Sequence, residues 1–354
     1  MLKYRNRILA GCGIGFVIYA SLLIFVNVED LVHELQIFPW ILLIPVIMLK
    51  VVSWFFRFLE WHYFLGVIDA RSKISLLDSV ALFVSGFAMA VSPGKAAEVL
   101  KAVVLKSKTD IPVATSAPVV IAERVVDGLS VIILAFFALL LAGGRIDLGP
   151  YQSLVFISAA LLALGLIGIQ IRPFVNFGLN LIAPLPLIRR VQPWLVSFYE
   201  SSYEIFKLRH IIPTTGMGMV ASLGDVAGFV IILAGFGIEV NGLLFLQALV
   251  IVCLSAAIGA LSGVPNGAGV TEISVSAMLM LIIAPGNPLM TSAVAATAAF
   301  IEGFFHKWFR VLIGLGVAMI FRKRLFGVDV EKAIDELAIE HRQKQSDYSI
   351  NVSV

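Results

Sequence analysis

The sequence predicts an all-α polytopic membrane protein, with about six full spans plus two opposed, Gly/Pro-broken re-entrant helical hairpins in an inverted repeat. Three observations predict it. Of 354 residues, 60% are hydrophobic and 14% are charged, against about half and about a quarter in a soluble domain. The apolar residues fall in runs long enough to cross a bilayer, and mean hydropathy is +0.99. Two of the runs are interrupted by Pro and Gly at corresponding places in the two halves. This composition excludes a water-soluble enzyme, a nucleic-acid binder and a disordered scaffold as readings of the whole chain. Net charge is +3, so the placement of the basic residues carries more information than their sum. Cys12 and Cys253 lie far apart inside apolar runs, which gives neither a disulfide framework nor a CxxC site.

The chain opens with Lys3, Arg5 and Arg7, then an apolar run from Ile8. The run is too long for a signal-peptide core and no small-residue cleavage pattern follows, so it reads as a retained first span. A span needs about 20 apolar residues, and full spans are expected near 8–27, 38–64, 114–142, 151–171, 212–237 and 290–321. Region 76–107 is broken at Ser92-Pro93-Gly94, and region 243–284 at Gly263-Val264-Pro265-Asn266-Gly267. Each half reads as short for a span, and each pair as a hairpin that enters and leaves on one side. Two ordinary spans are the open alternative.

Basic loops favour the hairpins. With Lys3, Arg5 and Arg7 in the cytoplasm, the loop with Glu29, Asp30 and Glu34 falls outside. Arg71, Lys73, Lys106, Lys108, Arg172, Arg189, Arg190, Lys207, Arg209 and Arg322–Arg324 then fall inside. Segment 190–208 is too polar to span and is expected along the inner interface. The integral domain is expected over 1–322. A cytoplasmic tail over 323–354 would include a short helix at Val330–Glu340. This layout places both termini in the cytoplasm of a cell-membrane protein. It also relates 38–142 to 212–321 as halves of opposite orientation, the pattern that points to a transport site near the midplane.

Charges inside spans are costly and are normally paired or functional. Lys50 and Arg57 share a face of span 38–64; Glu123, Arg124 and Asp127 lie mid-span in 114–142; Asp225 is central in 212–237; Glu302, His306, Lys307 and Arg310 lie in 290–321. The broken segments add Lys95, Glu98, Lys101 and Glu272. Cations and anions nearly balance, so interhelical ion pairs are one reading and ligand contacts the other. Asp225, alone on its helix, also admits a proton-coupling role. A helix restarting after Pro93-Gly94, or after Pro265 to Gly269, presents free N–H groups and a positive dipole end, which suit a phosphate. Breaks that serve only to turn the chain are the alternative. Glu302 and His306 are i,i+4, but two ligands do not make a metal site, and neither metal nor other cofactor is expected.

SPGKAAEVLKAVVL (92–105), ERVVDGLSVIIL (123–134) and GVPNGAGVTEISVSAML (263–279), in that order, resemble the transmembrane flippase-like domain of lysylphosphatidylglycerol synthetases over residues 1–322. The resemblance implies a stand-alone member that moves a lipid headgroup between leaflets and is not an enzyme. By position it implies substrate-binding roles for Pro93, Gly94, Glu98, Lys101, Glu123, Arg124, Asp127, Pro265, Gly267, Gly269 and Glu272. The mid-membrane charges Arg57, Lys95, Asp225, Glu302 and Lys307 join them from the residue reading. Where the family commonly has an arginine early in the last span, this chain has Glu302, with Lys307 and Arg310 further on. The implied cargo is a lipid with an anionic, phosphate-containing headgroup, such as a polyprenyl-phosphate-linked sugar or a modified phosphatidylglycerol. The implied partner is a lipid synthase or glycosyltransferase. A membrane-embedded lipid-phosphate glycosyltransferase, with Glu123 and Asp127 as its paired acids, and a non-transporting partner of such an enzyme are the competing classes.

Overall fold

The computed structural model describes residues 28–89, 100–146, 148–149, 157, 160–161, 163–165, 167–168, 170–173 and 186–325. Among them every regular element is a helix. The expected first span 8–27, the break at 92–94, most of span 151–171 and the tail helix lie outside the described residues.

Helix α1 (Val28–Ile37) leads through a 3-10 turn into α2 (Leu43–Val67). Helices α3 (Leu76–Met89), α4 (Leu100–Thr109) and α5 (Val113–Ala142) complete the first half. Helix α6 (Pro186–Ile205) precedes α7 (Leu208–Gly235), α8 (Gly242–Leu261), α9 (Val270–Ile282) and α10 (Ser292–Gly303). A π turn at Phe304–Trp308 joins α10 to α11 (Phe309–Ile320), and α12 (Arg322–Leu325) follows. The starts of α8 and α10 are capped by side chains, Asn241 accepting from the Leu244 N–H at 2.9 Å and Thr291 from that of Val294 at 3.2 Å. Helix α5 ends where Gly143 turns left-handed at φ 57°.

Among the described residues, five stretches are long and apolar enough to cross a membrane: Trp40–Val67, Val113–Ala142, Leu208–Gly235, Gly242–Leu261 and Ser292–Ile320. Four coincide with expected spans. The other, α8, is the first half of a segment read from the sequence as too short. Its 20 residues at about 1.5 Å each reach about 30 Å, the hydrocarbon thickness. Gly and Pro set the break at 263–267, but the apolar turns before it run uninterrupted from Gly242 to Leu261. Helix α3, with 14 residues, reaches only about 21 Å.

Burial runs opposite to that of a water-soluble helix. On α2, Ile44, Met48, Val51 and Phe55 are exposed, whereas Lys50 is 1% exposed and Ser53 is buried. An apolar exterior around a polar seam is the arrangement that hydrocarbon solvent selects. The chain is therefore a multi-pass membrane protein.

Packing is crosswise. Helices α2 and α7 share the most extensive interface. It closes where Gly224 and Gly228 of α7 meet Ser53 and Val46 of α2, so that the backbones approach. The Ser53 hydroxyl donates to the Ala221 carbonyl at 2.7 Å across this contact. Helix α3 packs on α11, and α8 packs on α5. Two apolar clusters result. One holds Val46, Leu134 and Val226; the other holds Trp61, Phe83, Leu105 and Val126. Along α2, Lys50 and Arg57 fall between the two clusters; along α5, Asp127 and Ser130 do.

Candidate functional site: a charged seam and its cleft

At one end of the seam is a cleft lined by Arg57, Glu60, Phe83, Gly86, Phe87, Lys101, Glu123, Arg124, Asp127 and Arg310. Helices α2 to α5 and α11 each supply part of it. Its interior volume is about 20 Å³, room for about one water. Among the described residues the cleft holds four cations against three acids.

The charged wall residues other than Glu60 are held by specific contacts. Lys101 is buried, and its Nζ donates to Glu123 Oε2 at 3.0 Å. It also lies 4.8 Å from the Trp61 ring centre, within cation–π range. Its side chain passes Gly86, where a Cβ would stand 2.2 Å from Lys101 Cε, so a larger residue there would displace the lysine. Arg57 donates to Asp127 and lies 3.6 Å from Asp225 Oδ2. Arg124 Nη1 pairs with Asp127 Oδ2 at 3.1 Å and is partly exposed. The Arg310 guanidinium stands 5.1 Å from the Phe87 ring centre. Glu60 is buried, and its Oε2 has no hydrogen-bond partner among the described residues.

Behind the cleft is a second group of charges. Lys50 Nζ donates to Glu302 Oε1 at 2.7 Å and lies 3.3 Å from Asp225 Oδ1. His306 Nδ1 lies 3.4 Å from Lys50 Nζ, 3.7 Å from Glu302 and 3.9 Å from Asp225. One ammonium therefore serves two carboxylates on different helices.

A third group lies at the start of α9. Gly263, Asn266, Gly267 and Gly269 all have positive φ, which turns the chain between α8 and α9. Lys307 Nζ reaches Glu272 Oε1 at 3.0 Å, Oε2 at 3.1 Å and the Gly267 carbonyl at 3.0 Å. The Gly269 N–H donates to Glu272 Oε2 at 2.8 Å. The anion position at this helix start is thus taken by the chain's own carboxylate. A Cβ on Gly303 would stand 2.4 Å from Glu272 Oε1, so Gly303 lets that carboxylate in.

Of the sequence-predicted site residues, Arg57, Lys101, Glu123, Arg124 and Asp127 meet at the cleft. Asp225 and Glu302 meet at Lys50. Gly267, Gly269, Glu272 and Lys307 form the α9 group, and Pro265 opens its 3-10 turn. Pro93, Gly94, Lys95 and Glu98 lie outside the described residues. The sequence reading did not place Glu60, Arg310 or Lys50 at the site. Glu60 stands one helical turn from Arg57, and that i,i+3 spacing is the signal that marks it.

No curated protein and no solved structure matches this chain. Residues 9–314 match the family described as the lysylphosphatidylglycerol synthase TM region, and with this match the chain belongs to that family.

Proposed function

We propose that the protein is a lipid transporter that carries a phosphate-containing headgroup between leaflets through the cleft lined by Arg57, Lys101, Arg124 and Arg310. The observation that carries this reading is the surplus of cations in a cleft at the inner seam of helices whose outer faces are apolar. Guanidinium groups bind phosphate oxygens with paired, charge-assisted hydrogen bonds. Phe83 and Phe87 offer an apolar side to the same cleft, and the acyl or prenyl tail stays in lipid. The space has room for about one water, so a headgroup enters only when the walls part.

Two features support rocking of inverted halves as the way they part. The packing of α3 on α11 has its counterpart in α8 on α5. The Lys101–Glu123 pair ties α4 to α5, and Glu272–Lys307 ties α9 to the π turn, with the signs exchanged. Helices α3–α4 and α8–α9 are then the two broken hairpins, although α8 alone is long enough to span. In this reading the protein lies in the cell membrane with both termini inside. It hands its cargo to or from a lipid synthase or glycosyltransferase and makes no covalent change itself.

Glu60 favours a second reading. Its partnerless Oε2 in the same cleft as Glu123 offers a general base, as a lipid-phosphate transferase needs.

Purified protein in liposomes carrying headgroup-labelled phosphate lipids tests both. Transport is expected in the wild type with the lipid chemically unchanged. Arg124→Gln is expected to lower it about 10- to 100-fold, the worth of one charge-assisted hydrogen bond of about 1.5–3 kcal/mol. Unaltered transport in Arg124→Gln and Lys101→Met together removes the cleft from the mechanism. A modified lipid replaces transport by the transferase reading.

A further inference from the structure

Glu302 is 5% exposed, and its Oε2 has no hydrogen-bond partner among the described residues. Its other oxygen shares Lys50 with Asp225. A buried carboxylate with half its acceptors unmet is costly, and a proton on Oε2 removes the charge. A metal cation is a poor alternative occupant, because the Lys50 ammonium already stands between the two carboxylates. Among the described residues no group of three or more His, Cys, Asp or Glu is placed to hold a metal ion.

The groups facing Glu302 come from every helix packed there. Helix α2 supplies Lys50 and, through Asp225, Arg57; α7 supplies Asp225. The π turn supplies His306 and Lys307, and α11 supplies Arg310 one turn further on. Helix α9 supplies Glu272, which Lys307 holds. His306, its side chain 32% exposed, is the most exposed member of the Lys50 cluster.

This cluster is wired to the cleft. Arg57 lines the cleft and also reaches Asp225, which Lys50 links to Glu302. We propose that Glu302 is a proton-binding site that fills when an anion occupies the cleft. The proposal rests on the headgroup reading above. A phosphate that engages Arg57 draws it away from Asp225. Asp225 then takes the larger share of Lys50, and Glu302, left without its cation, binds a proton at Oε2. One negative charge and one proton enter together, so the loaded seam keeps the net charge of the empty one.

The test uses the full chain in lipid nanodiscs, in weakly buffered solution with a pH-indicating dye and, as probe, a short-chain phosphatidylglycerol, whose phosphodiester holds one fixed negative charge near neutral pH. Wild type is expected to bind the probe and take up about one proton for each one bound. Glu302→Gln is expected to bind the probe without that uptake, and Glu204→Gln, outside the cleft lining, to retain both. Infrared difference spectra of the same samples are expected to show a carboxylic-acid C=O band on binding that Glu302→Gln alone lacks. Binding without proton uptake, or uptake that persists in Glu302→Gln, overturns the inference and leaves the headgroup reading intact. Failure of the wild type to bind the probe overturns the headgroup reading and this inference with it. Should Glu302→Gln not fold, Glu302→Asp takes its place. It keeps the carboxyl but withdraws it from Lys50, so an uptake that occurs at an unchanged pH counts against the site.

Discussion

A lysine and a glutamate both near full burial, as Lys101 and Glu123 are, are tied by the cost of leaving either alone. Breaking a buried pair by removing one partner costs about 3–5 kcal/mol, whereas replacing both with apolar groups can be neutral. Lys101→Met and Glu123→Leu are therefore each expected to be strongly destabilised in chemical denaturation in detergent. The double variant is expected to recover most of the loss, and additive losses would mean that the pair is not coupled. Gly303 carries the same logic without charge. Gly303→Val puts carbon where the Glu272 carboxylate lies, and it should unfold at a temperature several degrees lower. At this scale the sequence placed Glu123 and Asp127 together mid-span, but did not show that they serve different helices. Glu123 turns to Lys101 on α4, and Asp127 to Arg57 on α2. Partners that lie 22 and 70 residues away are set by tertiary packing, which helical periodicity does not encode.

Helices α2 and α7 meet through small residues, so Gly224→Leu is expected to force them apart at Leu49 and Ser53. The readout is a loss of the close approach, measured by cross-linking cysteines placed at 46 and 228. Undiminished cross-linking with leucine at 224 would show that the helices do not pack there. At the joint of α6 and α7, Glu204 accepts from Lys207 and Arg209. The Lys207 hydrogen bond first, and Arg209 after it, hold this carboxyl below its ordinary value of 4.5, against some opposition from burial. A depressed carboxylate contributes stability that is present above its unfolded value and is lost as pH falls through its folded one. The pair is largely solvent-exposed, so less than about 1 kcal/mol is at stake. Glu204→Gln should narrow the stability gap between neutral and acid pH slightly, and an unchanged gap would assign the joint no part in it. Four of the expected spans were legible because long apolar runs leave little choice of element. The π turn at Phe304–Trp308 was not, because one extra residue in a helical turn leaves no mark on hydropathy. That turn lies where His306 faces Lys50 and Lys307 faces Glu272.

Across the whole molecule, the polar groups gather along a seam between two apolar clusters, and large apolar side chains cover the outside. In the proposed rocking of the halves, the outer faces stay apolar in lipid while the seam exchanges one set of charge partners for another. The central claim is that the cleft at this seam holds an anionic headgroup. Native mass spectrometry of the gently extracted protein tests it most directly, with the wild type compared with an Arg57→Gln/Arg124→Gln variant. The account predicts that a phosphate-containing lipid stays with the wild type and is lost from the variant. Equal retention by both, or a wild type that carries no phosphate lipid at all, would contradict it.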